Sequence, residues 1–212
     1  MKHFCYAGFW MPEYLVDIFA EDLAHEALIK PLVVRLASES QVDVEVRVIS
    51  ARGGHPRVKE ELAVYRTVVE RGLLDRVPDL IVVVIDGNCT GYHRARMVLE
   101  QAAGTTLMSK GVIACPDPHV ERWYMADPPS FKTVVGTQPR LGKKKCDRNK
   151  YKQMLAKSLA DGGHPPTLGG TEFAPELIAA MDLYRAGKNE KSLKHFTDDL
   201  RAALHILSQR PE

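Results

Sequence analysis

The chain lacks any long hydrophobic run. Its longest apolar stretch, Leu80 to Ile85, is strand length, far short of the roughly 18 residues a membrane-spanning helix needs. The first ten residues have no extended apolar region and no small-residue cleavage site, which predicts a cytoplasmic protein. Cysteines number only four, at 5, 89, 115 and 146, with no C-x-x-C pair, so free thiols are expected rather than a disulfide framework. Charge of one sign is also lacking: the net is +2 over 212 residues, too little to drive nucleic-acid binding unless the basic residues are gathered. No internal repeat, low-complexity tract or P-loop is present. Arg52-Gly53-Gly54-His55 lacks the Gly-Lys-Ser/Thr ending that a phosphate-cradling loop requires.

What is present is an ordinary globular composition, 45% hydrophobic and 26% charged. A chain of this size buries most of its surface without a disulfide or metal staple. Residues 1–13 read as an N-terminal extension. Tyr14 to Ala20 reads as a first strand, ending in Glu21-Asp22. Helical spacing follows, with Leu23, Ala27, Leu28, Leu32 and Leu36 on one side and Pro31 as a candidate kink. Val42, Val44, Val46 and Val48 then alternate with charged residues, the pattern of a half-exposed strand near an edge. Leu62, Tyr65, Val69 and Leu73 mark one face of a second helix. The continuous Leu80 to Ile85 run predicts a central strand buried on both faces, and Lys110 to Pro116 a further short strand after a third helix. This alternation implies an α/β fold: an open parallel sheet of about four strands over residues 14–127, flanked by helices. Residues 128–212 read as a basic segment and a C-terminal helical extension, with two helices after Thr171, a candidate cap.

Three polar clusters fall at strand ends, where open α/β sheets bind ligands: Glu21-Asp22; Asp86-Gly87-Asn88; and Asp117, His119, Glu121. Converging carboxylates repel unless a cation neutralises them, and hard oxygen donors favour Mg²⁺ or Mn²⁺. Taken singly, Asp22 and Asp86 read as helix N-caps in preference to ligands; taken together, on three strands, the cap and metal readings balance. Arg140, Lys143, Lys144, Lys145, Arg148, Lys150, Lys152 and Lys157 are offset only by Asp147, a segment able to hold a phosphate backbone or simply to form a solvated face. Cys89, His93, Cys115 and His119 offer zinc-type donors without zinc-type spacing, and Cys89 or Cys115 would need an activating neighbour to serve as a nucleophile. Trp123, Tyr124 and Tyr151 read as packing residues in preference to base-stacking ones.

Strand ending in Glu21, helix, strand, helix, then Ile85-Asp86-Gly87-Asn88 resembles the Toprim domain of topoisomerases, primases and OLD-type nucleases. The later Val120-Glu121-Arg122-Trp123-Tyr124 resembles a segment of RloB-like Toprim proteins of bacterial defence. The resemblance covers residues 14 to 127. It implies a Mg²⁺-dependent nuclease, with Mn²⁺ as a substitute, in which Glu21 is acid, base or ligand and Asp86 the main metal ligand. Asn88 and Glu121 would be supporting ligands, and Lys143, Lys144, Lys145, Arg148, Lys150 and Lys152 would contact DNA or RNA. A separate ATPase is the implied partner; the helical pair after Thr171, read from its own pattern, covers the sheet or offers a homodimer or partner surface. Asn88 stands where the family pattern has a second acid; an amide brings no charge, so a catalytically silent binding or regulatory subunit is the alternative.

Overall fold

The structure is a computed structural model describing residues 14–50, 55–88 and 90–210. The expectations on residues 1–13, Gly53, Gly54 and Cys89 lie outside these residues, as do the side chains of His55 and Arg148. Four parallel strands form one sheet in the order β2-β1-β3-β4: β1 (Tyr14–Ala20), β2 (Val44–Ser50), β3 (Leu80–Val84) and β4 (Gly111–Ala114). Helices α1 (Leu23–Glu39), α2 (His55–Glu70) and α3 (Tyr92–Met108) make the crossovers. The expected α/β architecture is thus present, with β2 at an edge and β1 and β3 buried throughout. Among the described residues no helix is long and apolar enough to cross a membrane.

Side-chain alternation along the strands separates two cores. Val16, Ile18, Ala20, Val82 and Val84 face α1 and the C-terminal helices. Phe19, Ile81, Val83 and Ile113 face α2 and α3. One charged residue interrupts β1. Asp17 is completely buried, yet its register partner on β2 is Arg47, whose guanidinium donates to both carboxylate oxygens at 2.8 and 2.7 Å. Tyr65 Oη on α2 donates to the same carboxylate. A buried charge is tolerable only when paired and hydrogen-bonded in this way.

Beyond β4 the chain is helical: α4 (Glu121–Tyr124), α5 (Pro128–Val135), α6 (Arg148–Asp161), the 3-10 turn η1 (Thr171–Phe173), α7 (Ala174–Ala180), α8 (Leu183–Asn189) and α9 (Lys191–Ser208). Trp123 and Tyr124 are buried, as the sequence predicts. Trp123 stacks on Phe196 of α9 at 5.7 Å between centroids and donates from Nε1 to Ser192 Oγ at 3.0 Å. Tyr151, Leu155 and Leu159 form the buried stripe of α6, leaving its lysines outward.

Three expectations need correction. The region after Thr171 holds three helices and a 3-10 turn, because Met181 is extended and Asp182 caps α8 by accepting from Arg185 N at 3.0 Å. Thr171 caps none of them: Gly170 (φ 97°) precedes η1 and Phe173 precedes α7. Leu23 and Leu73 are exposed at 55% and 65%: Leu23 opens α1 outside its buried stripe, and Leu73 follows the end of α2 at Glu70. Pro31 lies inside α1, which Ile29, Leu32, Val33 and Leu36 pin to the core on both sides of it.

Replacing Trp123 with Ala removes the ring stack and one of the two hydrogen bonds that Ser192 Oγ accepts, leaving that from Asp117 N. Urea denaturation should show a loss of about 3–5 kcal/mol with an unchanged slope. A loss below about 1 kcal/mol would show that the C-terminal helices dock independently of this ring.

Candidate functional site

Because β1, β3 and β4 are consecutive neighbours and all parallel, their carboxyl ends emerge side by side. Glu21 follows β1, Asp86 follows β3, and Cys115 to Asp117 follow β4. Glu21 Oε2 lies 3.4 Å from the backbone N of Asp86, so the two catalytic candidates adjoin. Gly87 N donates to Pro116 O at 2.7 Å, and Asn88 N to Pro118 O at 3.1 Å, tying the β3 end to the β4 loop. A Cβ on Gly87 would stand 3.1 Å from Pro116 O, which explains a residue without a side chain there.

The centre of the site is a histidine. Asp22 is the N-cap of α1, its Oδ1 accepting from Ala24 N and His25 N at 3.0 and 3.2 Å. His25, one turn into the helix and 1% exposed, has Nδ1 2.7 Å from Asp22 Oδ1 and Nε2 2.9 Å from Asp86 Oδ1. A neutral imidazole donates from one nitrogen only, so two carboxylate partners call for an imidazolium. Burial disfavours that charge, but the Asp86 carboxylate and the Asp22 hydrogen bond override it and raise the pKa from 6.5 to about 10.

Asp86 is correspondingly saturated. Its Oδ1 also accepts from Val120 N at 2.9 Å, and its Oδ2 meets His119 Nδ1 at 2.9 Å. Burial opposes its charge, yet the His25 imidazolium and the His119 hydrogen bond hold the carboxyl below its usual range. Asp22 is held low as well: burial works against it, but His25 prevails through its hydrogen bond and charge. Asp86 is not a cap, because α3 starts from Gly91. Among the described residues, His119 Nε2 is buried without a hydrogen-bond partner.

Glu121 opens α4 and is buried. Its Oε1 lies 3.8 Å from Lys152 Nζ; burial, reinforced by the Asp86 charge, pushes its carboxyl up. Of the other basic residues, Lys144 pairs with Asp117 at 3.5 Å and Glu190 at 3.2 Å. Lys150 Nζ stands 5.6 Å from the centre of the buried Tyr151 ring, and Lys143 and Lys145 are exposed. Glu190 is itself fully buried and accepts from Arg122 Nε at 2.8 Å, an ion pair fastening the start of α9 to α4.

Mg²⁺ demands a near-octahedral oxygen shell. The Asp86 oxygens are taken by His25, His119 and Val120, and among the described residues no group of three or more His, Cys, Asp or Glu is placed to hold a metal ion. As arranged, Glu21, Asp86, Asn88 and Glu121 do not form such a shell. Of the donors considered for zinc, His119 turns to Asp86 and Cys115 is a buried free thiol 3.9 Å from Tyr92 O. Burial, with Asp86 and Asp117 adding to it, pushes that thiol up to about 12, the reverse of an activated nucleophile. Cys146 is disulfide-bonded, contrary to the expectation of free thiols throughout.

Comparison of the chain with protein-family models, curated proteins and solved structures finds no match.

Three residues around this site escape a search for acids at strand ends. His25 leaves one local trace, its position three residues after a capping Asp. Arg122 and Glu190 leave none, being 68 residues apart.

The pH dependence of stability follows from the two sides of this bridge. The stabilisation carried by His25 is complete below about pH 6.5 and is lost as pH rises through about 10. That carried by Asp22 and Asp86 is present above their ordinary 3.8 and is lost on acidification. Thermal melting should therefore be highest between about pH 4 and 6.5 and decline on the alkaline side. His25→Ala should cost about 3–5 kcal/mol near neutrality, as breaking buried pairs does, and abolish the alkaline decline. An unchanged alkaline limb in the variant would remove His25 as its source.

Proposed function

We propose that this protein is a nucleic-acid-binding α/β subunit whose strand-end acidic centre is closed by its own histidine. The observation carrying this reading is the His25 imidazolium between Asp22 and Asp86, which fills the electrostatic role a divalent cation takes in a carboxylate centre. With Asn88 in place of a second acid, Asp86 is the only acid of its motif, and both of its oxygens are engaged within the protein. The binding face is the segment from Arg140 to Lys157. There α6 buries Tyr151, Leu155 and Leu159 and turns Lys152 and Lys157 outward, next to the exposed Lys143 and Lys145. Lysines so placed contact phosphates without reading sequence.

Fluorescence anisotropy with single-stranded DNA, duplex DNA and RNA at several salt concentrations tests this reading. The triple variant Lys143→Glu, Lys145→Glu, Lys150→Glu should weaken all sequences alike and reduce the salt slope by about one per lost phosphate contact. Binding that is absent in the native chain, or unaltered in the variant, defeats the proposal.

A second reading, a Toprim-type nuclease using Mg²⁺ or Mn²⁺, draws support from the adjacency of Glu21 and Asp86 at neighbouring strand ends. It requires Asp86 to exchange His25 for the metal. Metal-dependent cleavage of DNA or RNA that disappears in Glu21→Ala and in Asp86→Ala would establish it over the first reading. Cleavage retained in both variants would place any activity elsewhere.

A further inference from the structure

A cleft of 470 Å³ opens beside the Asp86 centre, between the start of α1, α4, α6 and the loop before η1. Its size falls in the roughly 300–1,000 Å³ range of small-molecule sites. Leu23 and Leu168 line it and are 55% and 60% exposed, apolar surface that a bound ring would remove from water. Glu121, which also lines it, is 4% exposed. Among the described residues Lys152, at 3.8 Å from this carboxylate, is beyond hydrogen-bond range, so a buried acceptor faces the cleft with capacity to spare. The other carboxylate of the lining, Asp22, is engaged by Ala24 and His25.

We propose that this cleft binds the guanine base of a nucleotide, with Glu121 accepting its ring N–H and amino donors, Leu23 and Leu168 packing on the ring, and Lys152 meeting the phosphate. Two adjacent donors on one planar edge match the two oxygens of a carboxylate, as in other bidentate pairs. Adenine and the pyrimidines present no such pair of neighbouring donors. Apolar walls around an edge-reading polar group are the usual surroundings of an unstacked base. The inference deepens the nucleic-acid reading and rests on it: an unpaired guanine of a strand held along α6 would enter here.

Calorimetric titration of the full chain with guanosine, inosine and adenosine 5′-monophosphates tests the inference. GMP should bind. Inosine monophosphate, which lacks the amino donor, should bind about tenfold more weakly, and AMP should not saturate. Removing the phosphate (guanosine) should weaken binding in the native chain but not in Lys152→Ala. Glu121→Gln should erase the preference for guanine over adenine. Leu168→Ser, at an exposed position that leaves the core intact, should weaken GMP about tenfold, which covers the case of a misfolded Glu121 variant. Equal binding of GMP and AMP, or no GMP heat at millimolar nucleotide, overturns the proposal. If oligonucleotide binding sensitive to Lys143, Lys145 and Lys150 survives that result, the cleft assignment alone has failed.

Discussion

A buried, protonated histidine held between two carboxylates is the constraint on which the strand-end region depends. His25 stays charged only because Asp22 and Asp86 face its two ring nitrogens together. Asp22 belongs to the junction of β1 and α1, and Asp86 to the end of β3. The bridge therefore sets where α1 begins and how it enters against the sheet. Through His119 and Val120, Asp86 extends the same network to the loop after β4. One charge thus organises three strand ends and occupies the carboxylate that would otherwise recruit an external cation.

The same solution recurs where other segments meet. Asp17 with Arg47 and Tyr65 joins two strands to α2. Arg122 with Glu190 and Lys144 joins α4, the start of α9 and the basic segment. Asp127 with Arg185 joins the start of α5 to α8, with Arg185 Nη2 3.0 Å from the carboxylate. In each case a buried carboxylate is matched by cations from distant positions, because an unpaired charge there is costly. Part of the basic segment is consequently structural. Lys144 serves the fold, while Lys143 and Lys145 beside it are exposed.

The cleft beside the centre takes its character from the same arrangement. Hydrogen bonding within α1 uses up Asp22, whereas Glu121, at the head of a four-residue helix, keeps its acceptor capacity. Leu23, exposed instead of buried in the α1 stripe, becomes a wall of that cleft.

The strand and helix order, the edge position of β2, the doubly buried β3 and the packing roles of Trp123, Tyr124 and Tyr151 were all legible from the sequence. Each depends on periodicity or composition within a short window, and burial acts on those patterns locally. The acidic strand ends were legible as places, because a parallel sheet presents its ligand edge at one end. What neutralises them was not. His25 reaches Asp86 across 61 residues and Arg122 reaches Glu190 across 68. The exposure of Leu23 and the division of the C-terminal helices likewise depend on neighbours from other parts of the chain. Local pattern determined the elements and their order; tertiary packing decided their partners, since a buried charge is answered by whichever group the fold brings to it.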